Sequence, residues 1–188
     1  RDHCVTGVQT CALPIWEWFT SNSVNAKNRT GARASVYYNG EFYDNVFSRE
    51  RGGATTIGSQ KFDFNRDFRC KINDEIGRVD EANLNANGSD GTYIRPLLAF
   101  DTYRRAGNAA CAAFNVLMRM NGLADRTAVY VEQVDEFFLR RNGVNDNGVL
   151  YKMVQRGSIS PVFSITFWSA FNATGPRNGV PACCTMLA

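Results

Sequence analysis

The chain has 188 residues, 44% of them hydrophobic and 21% charged, enough for one domain with a sizeable core, and not the composition of a disordered, collagenous or coiled-coil chain. The formal net charge of +3 marks no basic patch, since residues 16–153 hold 18 basic and 17 acidic side chains; electrostatic capture of nucleic acid is excluded. The longest apolar-leaning run, Pro161 to Phe171, is too short to span a bilayer and is broken by Ser and Thr.

Arg1 to Ile15 reads RDHCVTGVQTCALPI and resembles an in-frame translation of a sequencing-library adapter, with VTGVQTCALPI as its constant part. Residues 1–15 are therefore set outside the fold. That removes His3, the only histidine, and with it Ser-His-Asp, Cys-His and His-based zinc chemistry. Cys70, Cys111, Cys183 and Cys184 remain, without a CxxC. No Cys70–Cys111 bridge follows from sequence, and both read as small buried residues.

Residues 16–33 read as a lead-in loop, polar and Gly/Asn-containing from Thr20 onward. Ala34 to Tyr38 is β-branched and aromatic, and Asn39-Gly40 after it signals a type I′ hairpin turn. The returning strand, Glu41 to Glu50, lacks a clearly dry face, which predicts an edge position or a bend near Asp44-Asn45. Gln60 to Asn65 alternates Phe62 and Phe64 with charged and polar residues, a strand with its aromatic face in the core. Val79 to Ala86 reads as another short strand.

A helix is predicted over 92–106, with Asp90 at the N-cap, Pro96 in its first turns and Gly107 as its stop. Ile94, Leu97, Leu98, Phe100, Tyr103 and Ala106 would form a broad buried face. Ala113 to Met120 and Thr127 to Val131 make a hairpin across Asn121-Gly122. A short helix follows over 135–142, then a turn at 145–148 and a strand over 149–153. The fold class this predicts is α+β: mostly antiparallel strands and hairpins with one long packed helix.

Three groups carry chemistry. Arg51-Gly52-Gly53, between two strands, offers backbone N–H groups to a phosphate, though a Gly pair there is also an ordinary turn. Lys61, on the strand after that loop, is placed as a phosphate-holding lysine or lies on a solvated strand face. Glu132-Gln133-Val134 ends a hairpin and opens a helix as a hinge whose backbone could pair with an adenine edge; Asp135 beside it is a helix cap. Asn83, Asn85, Asp90 and Arg95 form a fourth polar group, explained by a cap and a surface ion pair.

Taken together, VYYNGEFYDNVFSRERGG at 36–53, QKFDFN at 60–65, RVDEANLNANGSDGTYIRPLLAFDTYRRAG at 78–107 and VYVEQVDEFFLRRNGVNDNGVLYK at 129–152 resemble the CotH-type family of spore-coat and surface kinases. The resemblance implies an atypical protein kinase N-lobe and connector that uses ATP and a divalent metal, Mg or Mn. It implies a protein substrate phosphorylated on Ser or Thr, at an extracytoplasmic, secreted or coat location. Arg51, Gly52 and Gly53 would then lie over the phosphates and Lys61 would contact them. Many relatives carry a Lys-Lys pair where this chain has Ser59-Gln60-Lys61. Glu132, Gln133 and Val134 would line the connector near adenine, and the helix over 92–106 would be the regulatory helix of the lobe.

The family's catalytic and metal-binding Asp residues lie beyond Lys152. There the chain holds Arg156 and Arg177 and no acid, so none of them is assigned. Residues 34–153 are therefore expected to be a partial kinase domain, inactive alone. Residues 154–188 are expected to follow a frameshift or assembly error after about Met153, or else to hold an apolar strand pair over 162–171. The alternative function is a non-catalytic surface or secreted binding module of the same fold.

Overall fold

The computed structural model describes residues 12–52, 58–88, 90–147, 149–154, 165–171 and 183–187. Twelve strands are described: β1 (Ile15–Phe19), β2 (Ala32–Tyr38), β3 (Glu41–Glu50), β4 (Gln60–Asp63), β5 (Cys70–Asn73), β6 (Gly77–Val79), β7 (Glu81–Asn85), β8 (Ala113–Met120), β9 (Leu123–Val131), β10 (Val149–Val154), β11 (Ile165–Phe171) and β12 (Cys183–Leu187). Seven of them close a barrel in the order β1-β2-β3-β4-β7-β9-β8. Every pair in it is antiparallel except β1–β8, the parallel pair that shuts the cylinder. β5 and β6 form a separate hairpin, and β10, β11 and β12 a three-stranded sheet.

Period-2 alternation decides which side chains fill the barrel. Trp16 and Trp18 on β1, Phe62 on β4 and Leu84 on β7 are fully buried, and Tyr130 on β9 nearly so. Trp16 packs against Tyr38 and Phe62 with ring centroids 4.9 and 5.2 Å apart. Each of these large side chains contributes roughly 1.5–3 kcal/mol of hydrophobic stabilisation. A second cluster lies outside the barrel wall, where Phe100 and Phe138 pack against Val129, Val131 and Cys111. Cys70 belongs to the first cluster and Cys111 to the second, so the two sulfurs serve separate cores. Burial pushes the Cys70 thiol up to about 12.

The hairpins form where their turn residues require them. Asn39 and Gly40 have φ of 52° and 81°, and Asn121 and Gly122 have 51° and 81°, the left-handed pairs a type I′ turn needs. The bend in β3 is a bulge: Val36 pairs with Tyr43 but Ala34 with Val46, leaving Asp44-Asn45 opposite one residue. β3 pairs on both sides and is not an edge.

The α+β class with one long packed helix is wrong: the molecule is mostly β. Among the described residues the α-helices are α1 (Ser23–Ala26), α2 (Arg95–Arg105) and α3 (Glu136–Arg141), of 4, 11 and 6 residues. α2 starts three residues later than predicted because the preceding turn is wound around Asp90. That carboxylate accepts from the Thr92 N–H, the Thr92 hydroxyl and the Arg95 N–H. It thus caps the helix from five residues upstream. The broad buried face is also absent: Phe100 is buried, but Ile94 and Leu98 are 47% and 60% exposed. The prediction took helical spacing for burial, whereas α2 covers only a patch of the barrel's outer wall. Residues 16–33 contain most of β1, all of α1 and the start of β2.

Candidate functional site

The outer faces of β3, β4 and β7 bring polar side chains into rows. Register sets Arg49 opposite Lys61, Lys61 opposite Asn83, and Asn83 opposite Val131. Their inward neighbours Phe62, Ala82 and Leu84 are fully buried in the core, which pins the outward set in place. Lys61 Nζ donates to Glu81 Oε1 at 2.6 Å and lies 3.5 Å from Asp63 Oδ1. Arg49 lies 3.6 Å from the other Asp63 oxygen. The carboxylate that holds Lys61 thus comes from strand β7. The regulatory-helix role implied for α2 gains no support from this pairing, because the acid on α2, Asp101, pairs with Arg105 on the same helix.

Arg51 and Gly52 stand one row further along. The Arg51 N–H donates to Ser59 O, closing the mouth of the loop between β3 and β4. The Arg51 guanidinium donates to Asn85 Oδ1. Gly52 has φ of 108°, a conformation that favours glycine, and its carbonyl accepts from Arg29 at 2.6 Å. Gly58, where the loop returns, has φ of 85°, which strains any side chain there, and an added Cβ would displace the Arg126 guanidinium, 1.7 Å away. Gly53 lies outside the described residues.

The connector splits the three residues assigned to it. Glu132 is 3% exposed, and its carboxylate takes both the Arg141 fork, at 2.6 and 2.9 Å, and the Ala112 N–H. Arg141 also donates to Ala110 O at 2.6 Å. The Glu132 side chain is therefore a structural anchor that ties the connector to α3. Val134, 4% exposed, belongs to the second core cluster. Only Gln133 turns its side chain to the polar rows, where its Oε1 accepts from Asn83 Nδ2 at 2.8 Å. Arg141→Ala, which strands a buried carboxylate, should lower stability by about 3–5 kcal/mol in urea unfolding.

Asp135 caps α3 by accepting the N–H groups of Phe137 and Phe138. Burial raises its carboxyl to about 6, against the pull of those two bonds. A carboxyl raised on folding favours the native state while protonated, and that advantage is lost as pH climbs toward the folded value. Asp135→Asn keeps a capping oxygen but cannot titrate. Its denaturation midpoint should therefore vary less than the parent's between pH 4 and pH 7; equal variation would contradict the assignment.

Sequence reasoning grouped Asn83, Asn85, Asp90 and Arg95 together. Asp90 and Arg95 do form a cap and an ion pair, 3.7 Å apart. The two asparagines belong elsewhere, Asn83 with Gln133 and Asn85 with Arg51. Glu81 was not singled out at all. The signal available was the spacing of 81, 83 and 85, which puts all three on one strand face.

Arg49, Arg51 and Lys61 outnumber the two carboxylates facing them, and Gly52 leaves its backbone approachable. Asp63 and Glu81 are committed to cations, and among the described residues no three His, Cys, Asp or Glu side chains converge on a point that could hold a metal ion. Among the described residues, no helix is long and apolar enough to cross a membrane. No curated protein matches the chain. The sequence does match the family described as CotH kinase protein over residues 48–167, a span that contains Arg51, Lys61, Asn83 and the connector. With well over half of its length inside that match, the chain belongs to the CotH kinase protein family.

Proposed function

We propose that the chain is the nucleotide-contacting part of an ATP-dependent protein Ser/Thr kinase, whose catalytic and metal-binding carboxylates lie beyond Lys152 in a longer polypeptide. The observation that carries this reading is the convergence on one barrel face of the Arg51-Gly52 loop mouth, the Lys61–Glu81 pair and the connector residue Gln133. Arg51, Gly52 and Gly53 would meet the phosphates, with Lys61 supplying a second charge. The backbone of Glu132 to Val134 would run beside the adenine. ATP, when bound, supplies the phosphoryl group to be transferred, and these residues bind and orient it. The substrate would be a secreted or coat protein bearing Ser or Thr, outside the cytoplasm, as the family implies. A divalent metal, Mg or Mn, would be held by the carboxylates beyond Lys152.

Fluorescence titration of the 188-residue chain with a labelled ATP, in Mg or Mn, tests the binding half. Saturable binding is expected, and Arg51→Ala should weaken it about tenfold or more, the worth of one charge-assisted contact. Binding indifferent to Arg51, or none at all, would reject the reading.

A further inference from the structure

Asn83 stands on the outer face of β7 between the two ends of the site. Across one strand boundary its register partner is Lys61, and across the other it is Val131, the last strand residue before the connector. It is 2% exposed. Its Nδ2 is committed to Gln133 Oε1, and its Oδ1 is buried without any hydrogen-bond donor. A buried amide oxygen without a donor is costly, and native structures rarely leave one. Packing gives no reason for it, since Val or Leu would fill an outward strand position beside Val131 without that deficit.

Resting on the nucleotide reading above, we propose that Asn83 Oδ1 accepts a hydrogen bond from the exocyclic amino group of the bound base, so that Asn83 selects adenine over a 6-oxo purine. Gln133 fixes the amide: with Nδ2 taken, the oxygen is the atom left for the base. An amino group completes it, whereas a 6-oxo group sets a second acceptor against it. Sites built to hydrogen-bond a substrate reject the analogue that leaves their buried polar atoms unpaired. Lys61, the long side chain opposite the amide in register, can rotate to admit a base edge while Gln133 keeps its hold on Nδ2.

The test is equilibrium binding of MgATP, MgITP, 2′-deoxy-MgATP and inorganic tripolyphosphate to the 188-residue chain and to Asn83→Leu. The wild-type chain should prefer ATP over ITP by about tenfold, one hydrogen bond's worth. Asn83→Leu should abolish that preference by weakening ATP, with tripolyphosphate affinity unchanged. An ATP-to-ITP ratio untouched by the substitution overturns the proposal and leaves the nucleotide reading standing. So does a loss confined to the discrimination between ATP and 2′-deoxy-ATP, which would move the donor to the ribose. A wild-type chain that binds neither ATP nor tripolyphosphate overturns both. If circular dichroism shows Asn83→Leu unfolded, Asn83→Val removes the same oxygen with a strand-compatible apolar side chain, and the same ratios decide.

Discussion

Trp16→Ala is expected to destabilise the barrel by about 3–5 kcal/mol, the usual cost of emptying a fully buried tryptophan site. Against a total stability of roughly 5–15 kcal/mol for a domain, that is a large fraction of what holds it folded. Trp16 has no exposed surface, and its ring packs against Tyr38 at the end of β2, Phe62 on β4 and Phe64 just after β4. It also sits on β1, whose parallel pairing with β8 closes the cylinder from Ile15 to Trp18. Loss of the ring therefore weakens both the core and the seam. Phe42→Ala is the control, since that ring is 60% exposed on the outside and its removal should move stability by less than about 0.5 kcal/mol. Urea midpoints distinguish the two. Equal small shifts would mean that β1 is not part of the cooperative fold.

The second large effect concerns chemistry. In the longer polypeptide proposed above, Lys61→Ala should reduce ATP-dependent phosphate transfer by about 10²-fold or more, the scale of removing one preorganised donor from a catalytic site. Lys61→Arg should rescue little, because the ammonium fits between Glu81 at 2.6 Å and Asp63 at 3.5 Å as a compact point charge. Glu81→Gln keeps the strand geometry but releases the ammonium, so its effect should be smaller and fall mainly on nucleotide affinity. Transfer undiminished in Lys61→Ala would remove Lys61 from the site.

The legible part of this fold was its local chemistry. Asn39-Gly40 and Asn121-Gly122 announce their turns because few other dipeptides tolerate two left-handed residues in succession. Phe62 and Phe64 gave the orientation of β4 because alternation forces the aromatics inward. Closure of the barrel was not legible. It depends on β1 meeting β8 about a hundred residues later, where the Thr20 N–H bonds to Asn121 Oδ1 at 3.0 Å. No local pattern encodes that meeting. The overlong helix arose from Ile94, which stands at helical spacing to Leu97 and Leu98, whereas Tyr93 before it has φ of 56° and gives its N–H to Asp90 O in the turn.

The site divides in the same way. Arg51, Gly52, Lys61 and the connector were readable as residue types in order along the chain. Their partners were not, because Glu81 meets Lys61, Asn85 meets Arg51 and Gln133 meets Asn83 only through strand register. The anchoring of the Glu132 side chain was equally hidden. Its side chain is drawn inside by Arg141 and the Ala112 N–H, partners that no local pattern announces.

The central claim is that one outer face of the barrel, at β4, β7 and the connector, receives a nucleotide. Amide chemical shifts of the isotope-labelled chain, titrated with MgATP, test it most directly. The account predicts shifts concentrated at Gly52, Lys61, Asn83 and Gln133, with Glu17 and Phe19 on β1, the far wall of the barrel, unmoved. Shifts confined to that far wall, or none up to saturating nucleotide, would contradict it.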